Sequence, residues 1–232
     1  MSSRLRRLLL PAVMAWLLAG PGTGPARGAA ETLSGRVEIL ERGQPTADAS
    51  QAVVTYTPAG GAGAPPSAAA VEMLTHNRRF QPRVVVVPVG GEVRFPNQDP
   101  IRHNVFSVSP SNRFDLGLVG PGPGKAMRFT RPGLVRVFCN VHREMAAFVV
   151  VLETPFAVIT GADGRFELRG LPAGRGTLRV WHPRAEAWTR EIELPGAGDL
   201  QVSLEATMPV VSVHLNKFGQ PYRDEGRDEG YH

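Results

Sequence analysis

The sequence predicts an all-β protein built as two β-sandwiches. Short β-branched runs recur, among them Val53-Val54-Thr55-Tyr56-Thr57, Val84 to Val87, Ala147 to Leu152 and Leu178-Arg179-Val180-Trp181. Turn residues separate these runs at intervals typical of sandwiches, in a chain rich in Gly (26) and Pro (21). Beyond residue 30 no amphipathic helix of useful length can be traced.

Residues 1–30 read as a cleavable export leader. Arg4, Arg6 and Arg7 form a basic start, Leu8 to Gly20 an apolar stretch interrupted by Pro11, and Gly28-Ala29-Ala30 a small-residue cleavage site. The apolar stretch is shorter than the ~20 residues a spanning helix needs. Adjacent Arg6-Arg7 keeps a twin-arginine route open beside the general one. The expected mature protein is exported and has no membrane span.

Leu33 to Leu40 alternates apolar and polar residues, the pattern of a half-buried strand, and Ala52 to Thr57 supplies another. Pro58 to Ser67 is Gly/Ala/Pro-rich and reads as a linker. Strands are then expected over Ala70 to Leu74, Arg83 to Pro88, Glu92 to Phe95 and Asn104 to Val108. Ser109 to Gly124 is polar and rich in Gly and Pro, and reads as a surface loop spanning the sandwich. Lys125 to Thr130, Leu134 to Phe138 and Ala147 to Leu152 resume strands. Asp163-Gly164 reads as a hairpin turn before Phe166-Glu167-Leu168, and Leu171-Pro172-Ala173-Gly174 as a second tight turn before Gly176 to Trp181. Residues 208–232 are expected to form a C-terminal strand and a polar tail in which Arg-Asp-Glu-Gly repeats.

Charge narrows the function classes. The formal charge of +5 comes largely from the leader, whose four arginines leave 22 basic against 21 acidic residues beyond it. That removes the concentrated basic face that nucleic-acid binding requires. It also predicts no electrostatically steered encounter with a partner.

The chemistry lies in one stretch. Cys139 is the only cysteine, with His142 three residues on and Met145 three beyond that. A lone cysteine is ordinarily a small buried hydrophobe. An unpaired thiol in an exported chain nevertheless asks for a reason, and burial at a metal site supplies one. Thiolate, imidazole and thioether on one loop are a soft donor set. A second imidazole would complete the His2Cys site with a weak axial Met that holds copper for electron transfer. His103, in Asn97-Gln98-Asp99-Pro100-Ile101-Arg102-His103-Asn104-Val105, is the candidate.

On these residues, 69–153 resemble a cupredoxin domain of the amicyanin and plastocyanin kind. The ligand loop has amicyanin's C-x2-H-x2-M spacing, and His103 is followed by Asn104-Val105 as the first His of that family is. Phe80-Gln81-Pro82, Val89-Gly90-Gly91-Glu92-Val93 and Phe95-Pro96-Asn97 fit the family's early strands. The chain as a whole resembles exported cupredoxin-like proteins labelled methylamine utilisation proteins. The resemblance implies a Greek-key sandwich holding one copper ion through His103, Cys139, His142 and Met145. It makes Asn104 the neighbour that pins the cysteine loop, and His142 the electron's exit near the surface. In one departure, Val141 and Arg143 flank His142 where amicyanin has prolines, which bears on loop rigidity.

Residues 154–207 resemble a carboxypeptidase regulatory-like, transthyretin-like sandwich through Asp163-Gly164-Arg165-Phe166 and Leu171-Pro172-Ala173-Gly174. That family's earlier Gly-x-Val and Ala-Val-Val strands match Gly35-Arg36-Val37 and Ala52-Val53-Val54, on the far side of the copper unit. Residues 31–60 and 154–207 are therefore expected to build one smaller sandwich, with the cupredoxin inserted. His182, between Trp181 and Pro183, reads either as core packing or, with Trp181 and Trp188, as a ligand or sugar-binding face. His76, His214 and His232 have no partner at ligand spacing.

The leading expectation is a blue copper protein that carries single electrons to a redox partner and is not an enzyme. A second reading is a carbohydrate- or protein-binding sandwich with the copper domain as scaffold or copper store. Copper delivery is a third.

Overall fold

The alternation of Leu33 to Leu40 becomes β1 (Glu31–Glu41), in which Leu33, Gly35, Val37 and Ile39 are buried and the residues between them are not. The computed structural model describes residues 30–61, 63, 70–210 and 214–222. Residues 1–29 of the expected leader, half of the 58–67 linker, His232 and the repeated tail lie outside those residues, as do 211–213 of the expected C-terminal strand and tail. Among the described residues every regular element is a strand, and the all-β expectation holds.

After β1 come β2 (Gln44–Pro45) and β3 (Val53–Pro58). The central run is β4 (Val71–Glu72), β5 (Leu74–His76), β6 (Arg79–Gln81), β7 (Val84–Pro88), β8 (Glu92–Asn97), β9 (His103–Ser107), β10 (Phe114–Val119), β11 (Gly122–Arg128), β12 (Gly133–Cys139) and β13 (Ala146–Leu152). Then follow β14 (Ala157–Ile159), β15 (Arg165–Leu171), β16 (Gly174–His182), β17 (Ala185–Leu194) and β18 (Leu200–Glu205).

The central run folds into two five-stranded sheets, ordered β10-β9-β12-β13-β7 and β11-β8-β5-β6, with β4 on β8. Met73, Phe80, Val85, Val93, Phe95, Phe129, Val135, Val137 and Val149 fill one core with Cys139 and Met145. The unbroken apolar runs have a physical reason. β7 and β13 pair in parallel, and both faces of the pair are covered. Val85, Val87, Val149 and Val151 enter the central core, while Val84, Phe148 and Val150 meet Val53 and Trp181 of the flanking strands. Parallel strands buried on both sides cannot alternate with polar residues.

The flanking strands form two four-stranded sheets, β15-β1-β18 with β2 on β1, and β14-β3-β16-β17. β1 pairs antiparallel with β15 and in parallel with β18, and β3 pairs with both β14 and β16. Strands preceding the central run thus share sheets and a core with strands that follow it; Leu33, Val37 and Tyr56 pack with Phe166, Leu178 and Val202.

Two sequence expectations need correction. The stretch from Ser109 to Gly124 is not simply a spanning loop, because β10 lies within it at the edge of the site-bearing sheet. With few β-branched residues, and with Gly117 at φ 67 where the β9–β10 register shifts, it carries no strand signature. Asp163-Gly164 does not close a hairpin either, since β14 and β15 lie in different sheets. Gly164, at φ 71, turns the chain between sheets, and its carbonyl accepts a 2.8 Å hydrogen bond from Val37 N–H.

Candidate metal centre

The site lies where β9 meets the end of β12. In their antiparallel register Cys139 faces Val105. His103, two residues from Val105, shares its inward face, as a strand's period of two requires. A slip of one residue would turn His103 away from the sulfur. The β12–β13 connection then curls back: Met145 N–H bonds to the His142 carbonyl at 3.1 Å, and Cys139 N–H to the Met145 carbonyl at 3.2 Å. This tight loop carries His142 and delivers Met145 into the core, 1% exposed.

Three donors converge. Cys139 Sγ lies 3.7 Å from His103 Nδ1 and 3.6 Å from His142 Nδ1, and all three donor atoms fall within 4.8 Å of one another. Bonds of about 2.0–2.3 Å to a shared ion, opened to about 120°, would separate sulfur from nitrogen by about 3.6–3.8 Å. Both sulfur–nitrogen separations therefore suit a shared ion, and the softness of the donor set fits copper. Cys139 and His103 are fully buried, whereas His142 is half-buried at the edge.

Electrostatics prepare the donors. Burial pushes the Cys139 thiol up, and the backbone amides of Val141, His142 and Asn104 act against that rise. A cation would then replace the thiol proton. Burial also lowers the His103 pKa, with the hydrogen bond and charge of Asp99 opposing, which favours the neutral ring. Its Nε2 lies 2.9 Å from the Asp99 carboxylate. With Nε2–H donated there, the Nδ1 lone pair faces the sulfur. Burial works against the Asp99 charge, but hydrogen bonds from the Arg78 and Asn77 amides and from His103 outweigh it and hold the carboxyl below its usual range.

Asn104 adjoins the cysteine loop through its main chain. Its backbone carbonyl accepts Asn140 N–H at 2.9 Å, while its side-chain Nδ2 donates to Asp115 Oδ1 at 2.7 Å. The main chain ties the loop, and the side chain ties β9 to β10.

Several contributors were not read from the sequence. Asp99, four residues before His103, has no role legible from its local sequence. His214, without a partner at ligand spacing, stacks on Phe138 with ring centroids 4.3 Å apart. Tyr222 donates its hydroxyl to the Cys139 carbonyl at 2.9 Å. Their only sequence signal is that aromatic residues interrupt a polar end. In the other direction, Trp181 packs edge-on against Phe148 and Trp188 against the flanking core, so they do not form one face. The buried His182 bonds to the Ser50 carbonyl and the Arg184 amide.

No family model and no curated protein matches the chain. Among solved structures it is similar to a Cu-containing nitrite reductase from Thermus scotoductus SA-01, at 27% identity over 37% of this chain and 23% of that chain, with a TM-score of 0.35. It is similar to a purple cupredoxin from Nitrosopumilus maritimus, at 19% identity over 35% of this chain and 99% of that chain, with a TM-score of 0.32. A reduced Cu(I) amicyanin variant aligns at 22% identity over 43% of this chain and 98% of that chain, with a TM-score of 0.34. The chain thus spans under a quarter of the nitrite reductase. These likenesses are partial, and the site is described by the chain's own strand order and donor geometry.

Proposed function

We propose that this chain is an exported, mononuclear type 1 copper protein that carries single electrons. The observation that supports this most directly is the meeting of His103, Cys139 and His142 from separate parts of the chain, at separations suited to one ion. Copper held there would supply a one-electron couple. His103 and Cys139, fixed on paired strands, would keep the equatorial geometry nearly constant between oxidation states. Met145 is assigned the weak axial place and His142, at the edge, the route by which electrons leave. With His103, Cys139, His142 and Met145 all holding it, the ion would keep no open position, whereas catalytic metal sites retain one. A carrier is therefore favoured over an enzyme. In this reading residues 1–30 direct export, and 31–60 with 154–207 form a carboxypeptidase regulatory-like sandwich around the inserted copper domain. The redox partner is a protein.

Purified protein given Cu(II) should bind one equivalent, turn intensely blue through thiolate-to-copper charge transfer, and bleach reversibly with reductant. The Cys139→Ser variant should lose the colour and the narrow copper hyperfine splitting in its electron-paramagnetic-resonance spectrum. A wild-type protein that takes up no copper, or takes it up without colour, refutes the proposal.

A further inference from the structure

Segment 214–222, which follows the last strand of the flanking sheets, lies on the metal loop at several points. The peptide linking Cys139 to Asn140 is held on both edges. Its N–H donates to the Asn104 carbonyl at 2.9 Å, and its C=O accepts the Tyr222 hydroxyl at 2.9 Å. Lys217 N–H donates to Asn140 Oδ1 at 2.8 Å, and Lys217 Nζ reaches Asp115 Oδ2 at 2.7 Å. Asp115 Oδ1 in turn accepts from Asn104 Nδ2 at 2.7 Å. Asn104, Asp115, Lys217 and Asn140 thus close a ring of hydrogen bonds beside the seam between His103 and Cys139. His214 completes the attachment, stacked on Phe138 and edge-on to Tyr222 at 5.4 Å.

We infer that segment 214–222 is part of the metal centre's scaffold, with Tyr222 and Lys217 as positioning residues that hold the cysteine loop in its metal-ready form. The inference rests on the copper reading for its spectroscopic consequence, but not for its effect on the loop. With Val141 and Arg143 beside His142, the C-x2-H-x2-M loop holds no proline to stiffen it. Here a distant piece of chain supplies it by gripping the peptide that follows the cysteine. With Cys139 holding the metal, any slackening of that peptide would be felt at the sulfur.

Tyr222→Phe removes one hydroxyl and keeps the ring against His214. In the metal-free protein, hydrogen exchange at the Asn140 amide should speed roughly threefold to tenfold, the range one net hydrogen bond supports. In the copper-loaded protein, the charge-transfer band and copper hyperfine splitting should both shift, and copper should pass to a chelator severalfold faster. The melting curve of the flanking sheets should stay in place. Exchange at wild-type rate overturns the inference. So does faster exchange with an unaltered copper spectrum, because the hydroxyl would then be structural only. Wild-type protein that binds no copper would strike the copper reading alone, and amide exchange would still decide the role of the segment.

Discussion

His103 Nε2 lies 2.9 Å from the buried Asp99 carboxylate, and that pairing aims the other ring nitrogen at the Cys139 sulfur. Asp99 also accepts the Asn77 and Arg78 amides at 2.7 and 2.9 Å. It therefore joins a turn, a strand end and the His103 ring. Asp99→Ala should lower copper affinity about tenfold to a hundredfold, the usual effect of removing a partner that orients a ligating histidine. Competition titration with a chelator measures it, and an unchanged affinity would remove Asp99 from the site.

Metal bound between β9 and the loop after β12 should resist unfolding. At free copper one hundred times the dissociation constant, stability should rise by about 2.7 kcal/mol. Urea unfolding with and without copper gives the difference, which should vanish in Cys139→Ser. A gain that persists in that variant would place the ion elsewhere.

His182 sets an acid limit. Burial lowers its pKa to about 4, while its ordinary value is 6.5. Between those values the unfolded chain binds the proton and the folded protein does not. Stability attributable to this residue is therefore complete above pH 6.5, falls on acidification and levels below about pH 4. The loss is at most about 3 kcal/mol. His182→Gln should flatten the difference between denaturation midpoints at pH 7 and pH 4.5 in metal-free protein. Parallel pH profiles for variant and wild type would contradict it.

Two glycines with similar dihedrals should differ in cost. A Cβ on Gly164, at φ 71, would lie 2.0 Å from the Val37 carbonyl oxygen, whereas one on Gly43, at φ 75, would meet nothing within 4 Å. Gly164→Ala should destabilise by roughly 2–4 kcal/mol, combining left-handed strain with overpacking, and Gly43→Ala by only about 1–2 kcal/mol. Denaturant midpoints compare them, and equal losses would mean that β1 yields to the added methyl group.

The local pattern of residues determined much of this protein unaided. Alternation in Leu33 to Leu40, the apolar runs of β7 and β13, and the spacing of Cys139, His142 and Met145 are relationships among near neighbours. Backbone geometry and donor chemistry make them readable in one dimension. Tertiary structure decided the rest. Register between β9 and β12 brings His103 to the sulfur, Asp99 turns its ring, β10 forms without a β-branched signature, and residues 214–222 close over the loop. Each depends on partners distant in sequence. Such pairings are selected by the summed burial and hydrogen bonding of whole sheets, a total that no short window of sequence contains.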